Sequence, residues 1–255
     1  EVDGVDTADY SKVAEQCYLC DLCYLTKCPY VPPHEFNVDF PHLMLRAKAQ
    51  RFKTEGASLR DRTLTSTDRL LSTTSIPLVD ITVNALNKTG AFRKALSAGM
   101  DIHHEAPLPK LHSKTLRKRV KPLLVPQEPQ KVGNTTGKVA LYATCYGNYN
   151  SPDVGEDFVK VFQHNGIHID IVPKEKCCGM PKLELGDLDS VDALKQANIP
   201  VLAKLVDEGY DLTAPIPSCV LMYKQELPLM YPDDPDVIKV QNAFYDPFEY
   251  LWARH

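Results

Sequence analysis

"KEKCCGMPK", residues 174–182, sets two adjacent cysteines before a glycine, and the path of the backbone through them decides the fold. Neighbouring residues of a strand point to opposite faces, so Cys177 and Cys178 can address one centre only from a turn. Gly179 supplies the backbone freedom for that turn. Just upstream, "IHIDIV" (167–172) reads as a buried strand. Beyond Gly179 a helix begins, and its first amides would favour negative charge nearby.

Working outward, the same arrangement occurs twice more. "KVALYAT" (138–144) reads as a buried strand followed at once by Cys145, and "YDLTAPIP" (210–217) as a third strand with Cys219 just after it. Between them, "SPDVGEDFVKVFQHNG" (151–166) has the marks of a helix: Ser151 as N-cap, Pro152 at the first helical position, acids in the first turn and Gly166 as the stop. A second helical tract covers 187–209, with Pro200 expected to kink or break it, and "VLMYKQELPLMY" (220–231) begins a third. The alternation of strands and helices predicts a parallel sheet with right-handed crossovers. Cys145, Cys177, Cys178 and Cys219 then gather at the carboxyl edge of that sheet, where open α/β folds place their ligands. A buried cysteine is often only a small hydrophobe, which explains one such residue well and four at strand ends poorly.

The other four of the eight cysteines lie in "CYLCDLCYLTKCPY" (17–30). Cys17, Cys20, Cys23 and Cys28 follow C-x2-C-x2-C-x4-C-P, one residue longer than the bacterial ferredoxin run before its last cysteine. Three thiols of one short loop can clasp three irons of a cubane, while a fourth followed by proline turns away to serve another cluster. Either Cys28 closes its own cluster through the longer loop, or a companion motif outside this chain completes the set. Zinc is the rival reading, although zinc fingers usually space two close pairs apart. A disulfide knot fits less well, because the chain is long, has room for a core and shows no secretory leader.

With 255 residues, the chain is expected to hold two domains. The fold class expected is α+β multidomain: a helical ferredoxin-like domain over 1–106, a linker over 107–137, and a cysteine-rich α/β domain over 138–255. Within the first, a helix is predicted over 41–54 with a stop near Gly56, followed by an interrupted helical text broken by Pro77, with stops at Gly90 and Gly99. The linker holds Pro107, Pro109, Pro122, Pro126 and Pro129, and its basic run "KTLRKRVK" (114–121) reads as a solvated connector. A composition 44% hydrophobic and 24% charged, with net charge -4, suits a globular protein and does not favour nucleic acid. No stretch has the ~18 consecutive apolar residues of a membrane span. There is no Ser-His-Asp grouping, P-loop or dinucleotide fingerprint, so no catalytic residue is assigned.

The pattern Cys145…Cys177-Cys178-Gly179…Cys219 resembles the cysteine-rich domain, named for its CCG motif, of heterodisulfide reductase and of the anaerobic glycerol-3-phosphate dehydrogenase subunit designated C. The likeness to the latter runs through "TCYGNYNSPDVGEDFVKVFQHNGI" (144–167), "KEKCCGMPKLELGDLD" (174–189) and "PSCVLMYKQELP" (217–228). The resemblance implies that Cys145, Cys177, Cys178 and Cys219 bind an iron–sulfur cluster, a 4Fe-4S cluster or the non-cubane kind that cleaves a disulfide in heterodisulfide reductase. One departure bears on that choice: the reductase motif ends C-x-x-C, whereas here Met222 stands three places after Cys219. Relatives of that dehydrogenase subunit carry two ferredoxin motifs before the CCG region and a second CCG-type repeat after it, so the chain is read as an internal piece of a longer protein.

The function this implies is electron transfer between a partner flavoprotein dehydrogenase and a quinone or other acceptor, in the cytoplasm or peripheral to the cytoplasmic membrane. Two alternatives stand beside it: a heterodisulfide-reductase-like enzyme acting on a disulfide or thiol at the CCG centre, and a zinc-stabilised interaction module. Tyr18, Tyr24 and Tyr30, among the first ligands, would shield a cluster from water. His34, His42, His103 and His104 have no spacing that ties them to the cysteines, and Met222 and Met230 read as packing. The tract from Leu59 to Met100 is expected to pack on the CCG domain rather than lie on a membrane.

Overall fold

The computed structural model describes residues 4, 6–20, 22–26 and 28–254. These divide into two compact units: the chain up to Thr65 together with Pro181–Asp192, and Ser66–Met180 together with the chain from Ala193 onward. The ranges 1–106, 107–137 and 138–255 divide the chain by sequence character; the compact units cut it after Thr65 instead.

The larger unit is built on a four-stranded sheet in the order β2-β1-β3-β4: β1 is Lys138–Leu141, β2 His168–Ile171, β3 Asp211–Thr213 and β4 Phe244–Tyr245. Every pairing is parallel, with Val139 opposite Ile169 on one side and Asp211 on the other. The first three strands lie where the sequence placed them. The fourth, two residues long, carries no periodicity that a sequence reading can detect. Val139, Ala140 and Leu141 are buried throughout, as a central parallel strand covered on both faces requires.

Helix Pro152–His164 follows β1 as predicted, with Ser151 at the N-cap position and Pro152 at its first position, although the Ser151 side chain makes no capping bond. Helix Leu188–Asp207 runs through Pro200 without a break. Proline removes one hydrogen bond there, and burial of Ile199, Leu202 and Ala203 outweighs it. The basic run is no solvated connector. Leu116–Val120 is a helix whose Leu116 and Val120 are completely buried in the core with Val139, Val159 and Phe162. Five residues are too few to show a helical period, so the charges between the two apolar anchors dominated the reading.

Helices Thr67–Thr74, Val79–Leu86 and Gly90–Met100 belong to this unit too. Asp80 accepts the Ser113 N–H at 2.9 Å, and Asn84 exchanges two hydrogen bonds with the Leu111 backbone at 2.8 and 3.0 Å. These bonds tie helix Val79–Leu86 to the 107–137 stretch, while Ile76, Leu78 and Ile81 remain exposed and Leu59–Thr65 falls in the smaller unit. In the smaller unit, helix Phe40–Glu55 ends at Gly56 and packs on helix Tyr10–Gln16. Among the described residues, no helix is long and apolar enough to cross a membrane.

Two tests probe this packing. A methyl at Gly155 would sit 2.2 Å from Leu116 Cδ2, so the completely buried Leu116 would have to shift. Gly155→Ala should lower the unfolding free energy by about 1–3 kcal/mol, read from urea midpoints, and Leu116→Val in the same chain should recover part of it. Asp211, at the start of β3, accepts from Thr136 N at 2.7 Å and Thr136 Oγ1 at 2.8 Å, and burial pushes its carboxyl above the ordinary range. The folded chain thus binds this proton more tightly than the unfolded chain, so stability falls as pH rises from the ordinary carboxylate value through the raised one. Asp211→Asn should flatten that part of the stability–pH curve.

Candidate metal centre

Each of the first three strands delivers cysteine at its carboxyl end. After β1 the chain turns at Thr144, whose φ of 63° is rare for a β-branched residue, and its hydroxyl accepts from Gly147 N at 2.9 Å to start helix Cys145–Tyr149. After β2, Cys177 and Cys178 lie in a turn that Gly179 completes at φ 103°, a conformation other residues rarely adopt. After β3, Cys219 sits in helix Pro217–Leu221.

The four sulfurs converge. Cys145 Sγ lies 3.9 Å from Cys177 Sγ, and the Cys178 thiol makes side-chain hydrogen bonds to both Cys177 and Cys219. Cys177, Cys178 and Cys219 are buried and Cys145 half-buried. Protons are shared unequally along the string. The Cys145 thiol, then Cys178 and Thr67, donate to Cys177 and hold it down to about 3. The bond to Cys177, then burial, pushes Cys145 well up, and Cys178 is likewise raised. Four thiolates gathered here, three of them buried, would repel one another without a compensating cation. A sulfur-only donor set is the chemistry that selects iron–sulfur clusters or zinc. A tetrahedral zinc site holds its sulfurs about 3.8 Å apart on every edge. Among the described residues, the group of ligand atoms mutually within 4.8 Å is His103, His104 and Glu105, so the four sulfurs are strung more widely than that.

A polar frame holds the turn. Asn198 Oδ1 accepts from Lys176 N at 2.8 Å, and its Nδ2 donates to Cys177 O at 3.0 Å and to Tyr142 Oη at 3.3 Å. Tyr142 in turn donates to Lys176 O. Glu175 accepts from Ala143 N at 3.1 Å and pairs with Arg117 at 3.0 Å. Burial raises the Glu175 carboxyl to about 7 against the opposing pull of Arg117. From outside the strand loops, Thr67 Oγ1 donates to Cys177 Sγ at 3.3 Å, and Asp68 accepts the Cys177 N–H. Met222 is completely buried, its Cε lying 3.4 Å from where a Cβ on Gly179 would sit. A π-helical turn, Met222–Glu226, begins at that residue.

The N-terminal cysteines are arranged differently. Cys17 and Cys28 are half-buried, while Cys20 and Cys23 are exposed, with Cys23 on the short helix Leu22–Thr26. Cys28 N donates to Cys23 O at 3.0 Å, and Lys48 Nζ donates to Cys17 O. Among the described residues, no three of these sulfurs come within 4.8 Å of one another. Tyr18 and Tyr30 are exposed, Tyr30 stacking with Phe36; the side chain of Tyr24 lies outside the described residues. Sequence reasoning missed Thr67, Asp68, Tyr142 and Asn198, none of which carries a local signal. Glu175 was missed as well, because its neighbours Lys174 and Lys176 read as an exposed charged run.

Residues 139–224 match the family model of the CCG cysteine-rich domain, and this stretch of the chain is such a domain. The chain is similar to the anaerobic glycerol-3-phosphate dehydrogenase subunit designated C, from Escherichia coli K12: 29% identical over 207 residues, covering 81% of this chain and 48% of that protein. It thus spans about half the length of that relative. The subunit designated B in the CoM/CoB fumarate reductase of Methanothermobacter marburgensis is 32% identical over 83 residues, 32% of this chain and 16% of its own. An uncharacterized iron–sulfur protein of Methanocaldococcus jannaschii is 30% identical over 80 residues, 31% and 15%. No solved structure matches the chain.

Asn198 gives this frame a direct test. Asn198→Ala leaves Lys176 N and Cys177 O without their partner and should cost about 1–3 kcal/mol. Alkylation of Cys177 and Cys178 should quicken while that of the exposed Cys20 and Cys23 does not change, as peptide mapping of the labelled protein would show.

Proposed function

We propose that the chain is an iron–sulfur electron carrier of an oxidoreductase, receiving electrons from a partner flavoprotein dehydrogenase and passing them to a quinone or another acceptor. The observation that supports it most is the convergence of four thiols from three strand ends, with Cys145 Sγ 3.9 Å from Cys177 Sγ. Cys145, Cys177, Cys178 and Cys219 would hold the group, most simply a 4Fe-4S cluster. Such a group supplies reversible one-electron chemistry when bound. The residues around it do the rest. Asn198 and Tyr142 fix the Cys177–Cys178 turn, so little rearrangement accompanies a change of charge. Burial of three of the sulfurs excludes water, and Met222 fills the place of a fifth cysteine with an apolar side chain. This last feature favours carriage over the disulfide cleavage of the heterodisulfide reductase reading, because among the described residues no fifth thiol stands beside the centre.

For the smaller unit we propose a ferredoxin-type centre on Cys17, Cys20, Cys23 and Cys28. Two exposed cysteines, Cys20 and the helical Cys23, would leave that centre near the surface, the natural entry or exit for electrons. Reduced thiols at both sites suit the cytoplasm, and the exposed Ile76, Leu78 and Ile81 offer a surface for a redox partner.

Anaerobic purification followed by iron and acid-labile sulfide analysis tests the reading. A cubane at the CCG centre predicts about four iron and four sulfide there, lost together in Cys178→Ser or Cys219→Ser, with a reversible EPR signal indifferent to added thiols. Zinc without sulfide would overturn the proposal in favour of a structural module, and a signal that changes with a disulfide substrate would overturn it in favour of catalysis.

A further inference from the structure

Helix Thr67–Thr74 lies far outside the matched segment 139–224, yet its first two residues reach Cys177. Thr67 Oγ1 donates to Cys177 Sγ at 3.3 Å, and the same hydroxyl also meets the Cys145 side chain. Asp68 accepts the backbone N–H of Cys177. Cys177 is the hub of the cluster of thiols, in contact with Cys145 and with Cys178. Helix 67–74 also packs on helix Cys145–Tyr149, so the two residues are held from both sides.

We infer that Thr67 and Asp68 set the reduction potential of the CCG centre, in opposite directions and through Cys177. The inference rests on the iron–sulfur reading of that site. A hydroxyl donating to a coordinating sulfur draws charge from it, and reduction adds negative charge, so the Thr67 bond favours the reduced state. Asp68 does the reverse. It takes up the Cys177 N–H, a donor that would otherwise be free to turn towards sulfur, and it adds a carboxylate beside an anionic centre. Neither residue is a ligand, and both are positioning residues supplied by a helix that the CCG segment does not contain.

The test is a redox titration of the full chain, assembled anaerobically and followed by EPR. The CCG signal is identified as the one lost in Cys178→Ser. Each centre takes one electron from dithionite, and no bond to the protein is made or broken. Thr67→Val should bind the same iron but show about a tenfold smaller reduced-to-oxidised ratio at the wild-type midpoint, about 59 mV for one electron. Thr67→Ser should restore the wild-type value, and Asp68→Asn should move the midpoint the other way. Unchanged midpoints in Thr67→Val with iron retained would overturn the inference while leaving the iron–sulfur reading intact. Loss of iron from Thr67→Val would make the hydroxyl a structural requirement and overturn the tuning role. A wild-type chain without iron or sulfide at the CCG centre would instead overturn the reading itself, and the inference with it.

Discussion

Burying several thiols side by side, where any negative charge on one is poorly solvated and raises its neighbours, is the constraint around which the larger unit is organised. At the carboxyl edge of the sheet, hydrogen bonds from its neighbours lower the Cys177 thiol while the same bonds and burial raise Cys145 and Cys178. That division is what mutual repulsion in a poorly solvated place demands. A positively charged inorganic core, if held there as proposed, would relieve it by replacing the shared protons.

Parallel pairing makes the crowd possible. In a parallel sheet all strands end on the same edge, so three loops separated by tens of residues arrive side by side. The register Val139–Ile169 and Val139–Asp211 sets how far each loop protrudes. The polar frame then removes the remaining freedom. Asn198 ties the backbone on both sides of the Lys176–Cys177 peptide, and Glu175 joins the end of β1 to Arg117 of the helix Leu116–Val120. That helix, whose charges suggest a connector, is in fact anchored in the core at both ends. The N-terminal cysteines show the contrast. Their spacing is local, their loop is short, and two of the four face solvent.

Much of this is legible in the linear text. Strands β1 to β3, the helix Pro152–His164 with its proline at the first turn, and the helix Phe40–Glu55 ending at Gly56 all follow from local signals that no distant contact contradicts. Where reading fails, a distant contact decides. Pro200 sits within a continuous helix because its neighbours are buried. Leu116 and Val120 are core because Gly155 and Val159 lie against them or close by. β4 exists because β3 offers it an edge, not because two residues have a preference of their own.

The sequence by itself determined which atoms are available for chemistry: eight thiols, their grouping, and the glycine that lets two adjacent cysteines face one way. Covalent neighbours and backbone sterics settle such matters, and both are local. Only the tertiary structure decided which further side chains reach those thiols. Thr67 and Asp68 stand 110 and 109 positions from Cys177 in the chain, and nothing in a linear text relates them. Burial and hydrogen bonding depend on what packs where, and packing exists only once the chain has closed on itself.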